Sequence, residues 1–396
     1  MNLNTTAATR IGLNILALLG SSLALYLGHS IFIPLVIAAL LTVILWPAVG
    51  WLHKRLRFPW FLSCLTVISL LIVANLGIFA GFALALPQTL EELPNPRNPE
   101  KLREIYDKSR ESILLLFPAN GERVLPKNAD DSTVYAYVTK FFEGGYVTDT
   151  MLNLSKIAGN WVFQSIVILF ILLFMLMEGE FLAARIKGIF GATRVEQTQA
   201  NEILADMGEA IRSYLIWRTL VNIGLGIFLG IVYSLFNLQQ PWTWALFTAI
   251  LCYVPYIGTL IAGVPPLLDA LIHAGPMTAI IIMFIYMIVV TVEGYLIVPL
   301  VMGRTMDLNA TTVMLACLYW DLVWGTPGLF LAMPLMAGIK AVLMHVDGFR
   351  PWGELMGTEK GFRVSQEQSR IATITRQAAG NPGDSTQVME DPNGGK

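Results

Sequence analysis

Glu293 is the residue whose position most needs a chemical explanation. It lies inside the apolar run Met277 to Val301, and a carboxylate at the centre of a membrane helix costs about 2.5–3.5 kcal/mol on insertion scales. A group kept at that cost binds a cation, relays a proton, or holds a neighbouring helix through an arginine or a freed backbone amide. Asp321, between Trp320 and Leu322 in the last apolar segment, invites the same reading as a second acid facing a cavity. Two apolar segments are interrupted. Trp242 to Ile272 contains Pro255, Gly258, Gly263, Pro265 and Pro266, and Leu308 to Leu343 contains Gly325, Pro327, Gly328 and Pro334. Proline removes a backbone donor and clashes with the preceding turn. Unsatisfied backbone is tolerated at membrane depth only against protein or a watery cavity. Paired Gly/Pro-interrupted segments therefore point to a solute path, and Gly258 to Pro265 set against Gly328 to Pro334 suggests a loose internal repeat. The alternative is that these residues only kink well-packed helices.

The remaining polar groups read more plainly. Asp269 stands beside His273, Gly275 and Pro276 and reads as a solvated helix end, and Arg212 and Arg218 read as interfacial anchors. His29 and His53 have no metal-ligand companion at helical spacing. Cys64, Cys252 and Cys317 lie within apolar runs at spacings unlike a metal motif. No HExxH, GxSxG or GxxxxGK[ST] pattern occurs, so neither enzymatic activity nor ATP hydrolysis is expected. No metal or cofactor is expected either. Active transport would draw on an ion gradient or a separate partner.

These residues need lipid-embedded helices to position them. The sequence is 55% hydrophobic and 14% charged, against roughly a quarter charged in soluble domains. Runs of about 20 apolar residues, enough to span a bilayer, recur to about residue 340. The expected fold is an all-α integral membrane protein of about eight transmembrane helices, two late ones interrupted by Gly and Pro. Residues 1–86 hold the first three spans, with Ile11 to Leu27 and Ile31 to Leu52 forming a retained hairpin rather than a cleaved signal peptide. Residues 87–156 form a polar extracytoplasmic region in which Pro99 to Phe117 is amphipathic, lying on the bilayer or packed within its own subdomain. Residues 157–343 form the transport core, including a charged cytoplasmic loop at 179–212, and residues 344–396 form a mostly disordered tail. Lys54, Arg55 and Arg57 place their loop in the cytoplasm by the positive-inside tendency, and eight crossings put both termini there. The net charge of −2 leaves no basic excess for nucleic acid.

Three blocks then carry a resemblance: CYVPYIGTLIAGVPPLL at Cys252 to Leu268, VEGYLIVPLVMGR at Val292 to Arg304, and LYWDLVWGTPGLFLAMPL at Leu318 to Leu335. The second half of the chain resembles the autoinducer-2 exporter family of bacterial permeases. The resemblance implies a homo-oligomeric, multi-pass permease of the bacterial inner (plasma) membrane that exports an autoinducer-2-like signal or exchanges sodium for protons. Its motif positions fall on Pro255, Gly258, Glu293, Pro299, Gly303, Gly325, Gly328 and Pro334. The chain departs from the pattern at Thr259, Asp321, Asn309 and Ala310. The expected partners are the lipid bilayer and a small solute or cation. The alternatives are a membrane scaffold or sensor without transport, or a passive channel.

Overall fold

A computed structural model describes residues 7–92, 99–116, 125–133, 135–136, 139–140, 146–190, 194–302, 307–346 and 348–358, and every regular element among them is helical. Gly303 and the expected tail from Val364 lie outside the described residues. In the first half, α1 (Ala7–Leu27) and α2 (His29–Leu56) join at Gly28, followed by α3 (Trp60–Glu92), α4 (Pro99–Leu116) and α5 (Tyr146–Phe190). Then come α6 (Arg194–Leu235), α7 (Pro241–Leu251), α8 (Ile257–Ala262), α9 (Val264–Asp269), a π turn at Ala270–Ala274, and α10 (Pro276–Val292). A second π turn at Glu293–Ile297 leads to α11 (Val298–Met302), α12 (Ala310–Trp324), α13 (Thr326–His345) and α14 (Arg350–Leu355).

Seven helical stretches are long and apolar enough to cross a membrane, and Gly12–Leu27, Pro241–Leu251 and Ala310–Trp324 are apolar but shorter. Leucines such as Leu16 and Leu70 lie 70% exposed, as expected of surfaces whose solvent is lipid. Where a charged loop was expected at 179–212, α5 continues to Phe190 and α6 starts at Arg194. The stretch is rich in Glu, Ala, Gln, Leu and Arg without proline, residues that favour helix even in water.

The expected amphipathic helix is α4. Leu102 and Tyr106 are buried, and Tyr106 donates to the Pro126 carbonyl at 2.8 Å and meets the Tyr135 ring edge-on at 5.5 Å. The Glu104–Lys108 pair forms on the solvent side at 2.8 Å. These contacts tie α4 to the segment around Ala129–Asp131, and α4 also packs against the helix at Pro276–Val292.

The interrupted segments are hairpins, not single kinked crossings. In a continuous helix, residues seven or eight apart lie about 10–12 Å apart along the axis. Here a Cβ on Gly258 would stand 1.9 Å from the Leu251 carbonyl oxygen, and one on Gly328 would stand 1.9 Å from that of Trp320. The chain has folded back at both places. Tyr256, at φ 61°, makes the first reversal, and Gly325, at φ 64°, makes the second.

Both bases are closed by an aspartate. Asp269, 1% exposed, accepts from the amides of Gln239 and Gln240 at 3.2 and 3.1 Å and from Trp244 Nε1 at 2.6 Å. The end of α9 thereby caps the start of α7. The expectation of a solvated Asp269 fails, because four unpaired amides at a helix start need acceptors when buried. In the second hairpin Asp307 binds Lys340 of α13 at 3.0 Å and accepts from the Thr358 amide at 2.8 Å. Burial pushes the Asp307 carboxyl up, but the Thr358 hydrogen bonds and Lys340 together outweigh it and hold it below the usual carboxylate range. Asn309 caps α12 and donates its own amide to the Met356 carbonyl at 2.8 Å, a bond that a proline at that position could not make.

One helical span, Pro276–Ile297, separates the two bases. The hairpins therefore open toward opposite sides and are inverted relative to each other, the arrangement found in transporters built from inverted repeats. Two further buried clusters complete the packing. Cys64, Val67, Leu172 and Leu176 join α3 to α5 under α2, while Cys317, Trp320, Trp324 and Leu331 join the two arms of the second hairpin.

The close approaches generate a stability prediction. Gly258→Ala and Gly328→Ala should each destabilise the purified protein by about 1–3 kcal/mol, as overpacked sites do, and so lower its unfolding midpoint. Gly224→Ala, where an added Cβ meets nothing within 4 Å, should not. Equal midpoints for all three would mean that the arms are not in contact.

Candidate functional site

The first hairpin's tip meets a buried ion pair. Arg218 and Glu293 are 8% and 3% exposed, and Arg218 Nη1 donates to Glu293 Oε1 at 2.6 Å. Arg218 Nη2 donates to the Cys252 carbonyl. The cause is local. Helix α7 stops at Leu251, so the carbonyls at its end lose their helical donors, and at that depth only another protein group can replace them. Arginine can serve two acceptors at once because its planar guanidinium offers five donors in a fixed fork.

Glu293 reaches the pair from the start of the π turn at Glu293–Ile297. A π turn adds a residue to one helical turn and re-aims the side chains on it, and such bulges recur at functional sites. Three side chains, two from α6 and one from the tip just past α7, extend the polar cluster. Tyr253 and Thr219 share a hydroxyl hydrogen bond at 2.6 Å. Asn222 follows Arg218 by one helical turn, is 2% exposed, and finds no partner for its amide oxygen or nitrogen among the described residues. Leaving such a group unmet costs about 1–3 kcal/mol, so a polar atom of a ligand or water would be stabilised there. Among the described residues no group of three or more His, Cys, Asp or Glu could hold a metal ion.

The expected site residues fall in different places. Pro255 sits at the first tip, part-buried, and Gly258 is buried just beyond it. Pro265 lies in α9, past the bend at Gly263, where a Cβ would stand 2.7 Å from the Tyr286 ring. Tyr286 in turn donates to the Thr259 carbonyl at 2.5 Å. Thr259, a departure from the family pattern, donates to the Tyr256 carbonyl at the reversal at 2.8 Å. Pro299 is in α11, close in sequence to Glu293.

Gly325, Gly328 and Pro334 belong to the second hairpin, whose tip faces the α1–α2 turn. There Trp324 donates to the Leu25 carbonyl at 3.0 Å, and Tyr319 shares a hydrogen bond with Ser22 at 2.7 Å. Asp321 is exposed and forms no ion pair among the described residues. Its backbone carbonyl accepts from Gly325 at 2.7 Å, so its placement serves the tip rather than the Glu293 cluster.

Arg218 is the residue of this cluster that the interfacial reading misses. The signal was available. Arg218 is the only charge between Tyr214 and Phe236, and Glu293 is the only one between Met277 and Val301. A charge buried in a span requires a partner, and these two are of opposite sign. Arg212 behaves nearer to expectation, donating to the Val43 carbonyl at 3.1 Å and pairing with Glu209 at 3.4 Å.

The sequence is similar to that of the "AI-2 transport protein TqsA" of Escherichia coli (strain K12), with 22% identity covering 85% of this chain and 93% of that one. It is 23% identical to the "Putative transport protein YhhT" of the same strain, over 90% of this chain and 97% of that one. It is 25% identical to the "Putative transport protein YrrI" of Bacillus subtilis (strain 168), over 80% and 86%. Residues 15–348 match the family described as "AI-2E family transporter". With inverted hairpins, a buried ion pair at a helix break and a family match over most of its length, this chain belongs to the AI-2E family of membrane transporters.

Proposed function

We propose that the chain exports a small polar solute of the autoinducer-2 type across the bacterial inner membrane, and that the Arg218–Glu293 pair is the latch of its path. The observation that carries this reading is the shared use of Arg218. One guanidinium holds both the acid of the α10 π turn and the carbonyl freed at the first hairpin's tip. Any event that weakens the ion pair also loosens the tip.

A proton or cation arriving at Glu293 competes with Arg218 for the same oxygens. Once released, the arginine, the unmet Asn222 amide and the hydroxyls of Thr219 and Tyr253 offer donors and acceptors to a solute with several polar atoms. Coupling follows because Glu293 cannot hold the cation and Arg218 with equal strength. Sodium–proton exchange is a second reading, favoured by the carboxylate itself, and uses the same competition without a solute. In both readings the chain transports and performs no covalent chemistry, its termini face the cytoplasm, and its copies assemble as a homo-oligomer. A passive channel is distinguished by flux that survives collapse of the gradient.

Flux into liposomes under an imposed pH or sodium gradient tests the latch. Glu293→Gln should lower flux at least tenfold. Arg218→Met leaves Glu293 buried without its partner and should destabilise the protein by about 3–5 kcal/mol. The double variant Arg218→Met/Glu293→Gln should recover most of that stability but none of the flux. Wild-type flux in the double variant would eliminate the pair from the mechanism.

Asn222 separates binding from folding. Asn222→Leu removes an unmet buried polar group, so the unfolding midpoint should hold or rise, while flux falls by about tenfold, a loss equivalent to about 1.4 kcal/mol. Unchanged flux in a stable Asn222→Leu protein would place the solute elsewhere.

A further inference from the structure

A second site lies away from the transport path, where α2, α3 and α5 meet near the basic end of α2. It is a cleft of about 520 Å³ whose walls include Trp46, Trp51, Trp60, Lys54, Arg55 and Glu180. Its floor is fixed. Trp60 donates its indole N–H to the Leu176 carbonyl at 3.0 Å and packs on Trp46 with ring centroids 5.1 Å apart. Trp46 presses against Gly179, where a Cβ would meet the ring at 2.3 Å. Trp51, by contrast, is 59% exposed at the mouth.

Charge and position decide what this cleft takes. Lys54 and Arg55 are exposed and form no ion pair among the described residues, so two cations stand over a pocket with no acid bound to them. They follow Trp46 by eight and nine residues on α2, about 12–14 Å along the axis. That is the scale of a phosphate headgroup with its glycerol. Tryptophan, lysine and arginine together are also the side chains that anchor at the headgroup level of a bilayer. On α5, Met177, about one turn before Glu180, is 41% exposed and offers apolar surface next to it. Glu180 adds an acceptor to the same walls, so the occupant carries hydrogen-bond donors as well as an anion.

We infer that this cleft is a binding site for an anionic bilayer phospholipid, its phosphodiester held by Lys54 and Arg55 and its headgroup hydroxyls by Glu180. A glycerol headgroup supplies both the anion and the donors. A choline headgroup supplies no donor and carries a cation that the basic pair opposes. The bound lipid bridges α2, α3 and α5, and so steadies the half of the molecule that does not contain the hairpins. The site is independent of the Arg218–Glu293 latch, and its test reads lipid binding instead of flux.

Native mass spectrometry of the purified full chain in detergent, titrated with phosphatidylglycerol or phosphatidylcholine, reads the site directly. The wild type should retain phosphatidylglycerol at least tenfold better than phosphatidylcholine. Lys54→Gln/Arg55→Gln should erase that preference. Gly50→Leu tests the same cleft without touching a charge. Gly50 lines it, and a Cβ there meets nothing within 4 Å, so the larger side chain fills the space and should reduce retention by a similar factor. Equal retention of the two lipids, or a preference that survives both variants, would overturn the site. Displacement of the lipid by millimolar glycerol phosphate would overturn it as well, because the site would then serve a soluble phosphate ester.

Discussion

A helix that stops inside a bilayer leaves carbonyl groups that no solvent will satisfy, and the second half of this protein is organised around meeting that demand. Helix α7 ends at Leu251, the Cys252 carbonyl falls to Arg218, and Arg218 then requires Glu293 to balance its charge. The three groups come from α6, from the end of α7 and from the π turn after α10. Desolvating two charges costs several kcal/mol per ion, and removing one partner costs about 3–5 kcal/mol. The pair is thus a poor source of net stability but a strong constraint on where the three elements sit. A constraint of that kind suits a part that must be either fully engaged or fully released.

The same demand is met differently at the bases of the hairpins. Asp269 closes the first by capping the start of α7, and Asp307 closes the second through Lys340 and Thr358. The tips are made by backbone reversal at Tyr256 and Gly325, and the arms meet at Gly258 and Gly328 because only a missing Cβ lets a carbonyl approach so closely. Repeated solutions in two inverted units give the loose likeness between the interrupted segments a physical content. The α2–α3–α5 half has no such breaks among its described residues and packs through Cys64, Val67, Leu172 and Leu176. It forms a frame of long helices packed beside the hairpins.

Much of this was legible in the residues, and the failures have clear causes. Hydropathy located the lipid-embedded stretches, and glycine and proline located the breaks at Pro255 and Gly325. It did not show that the chain turns back there, since a kinked helix and a hairpin share one composition. The difference lies in contacts between Gly258 and Leu251 and between Gly328 and Trp320. The count of eight crossings suffers from the same ambiguity. Glu293 stands out by its cost in lipid, but its partner does not, because Arg218 stands about one turn inside its span and passes for an anchor when read alone. Asp269 deceives because its neighbours His273, Gly275 and Pro276 signal a helix end, whereas its burial depends on the distant amides of Gln239 and Gln240. Asp321 shows the converse, a mid-segment acid that folding leaves exposed.

On the proposed mechanism the Arg218–Glu293 latch opens as the protein works. Cys252, whose carbonyl is held by the latch, and Cys64, in the α2–α3–α5 frame, are both fully buried. The rate at which each thiol of the same molecule is alkylated by a membrane-permeant reagent, read by mass spectrometry in liposomes with and without a gradient, tests the claim directly. The account predicts that the gradient raises labelling of Cys252 relative to Cys64. A ratio that stays constant while flux proceeds would contradict it.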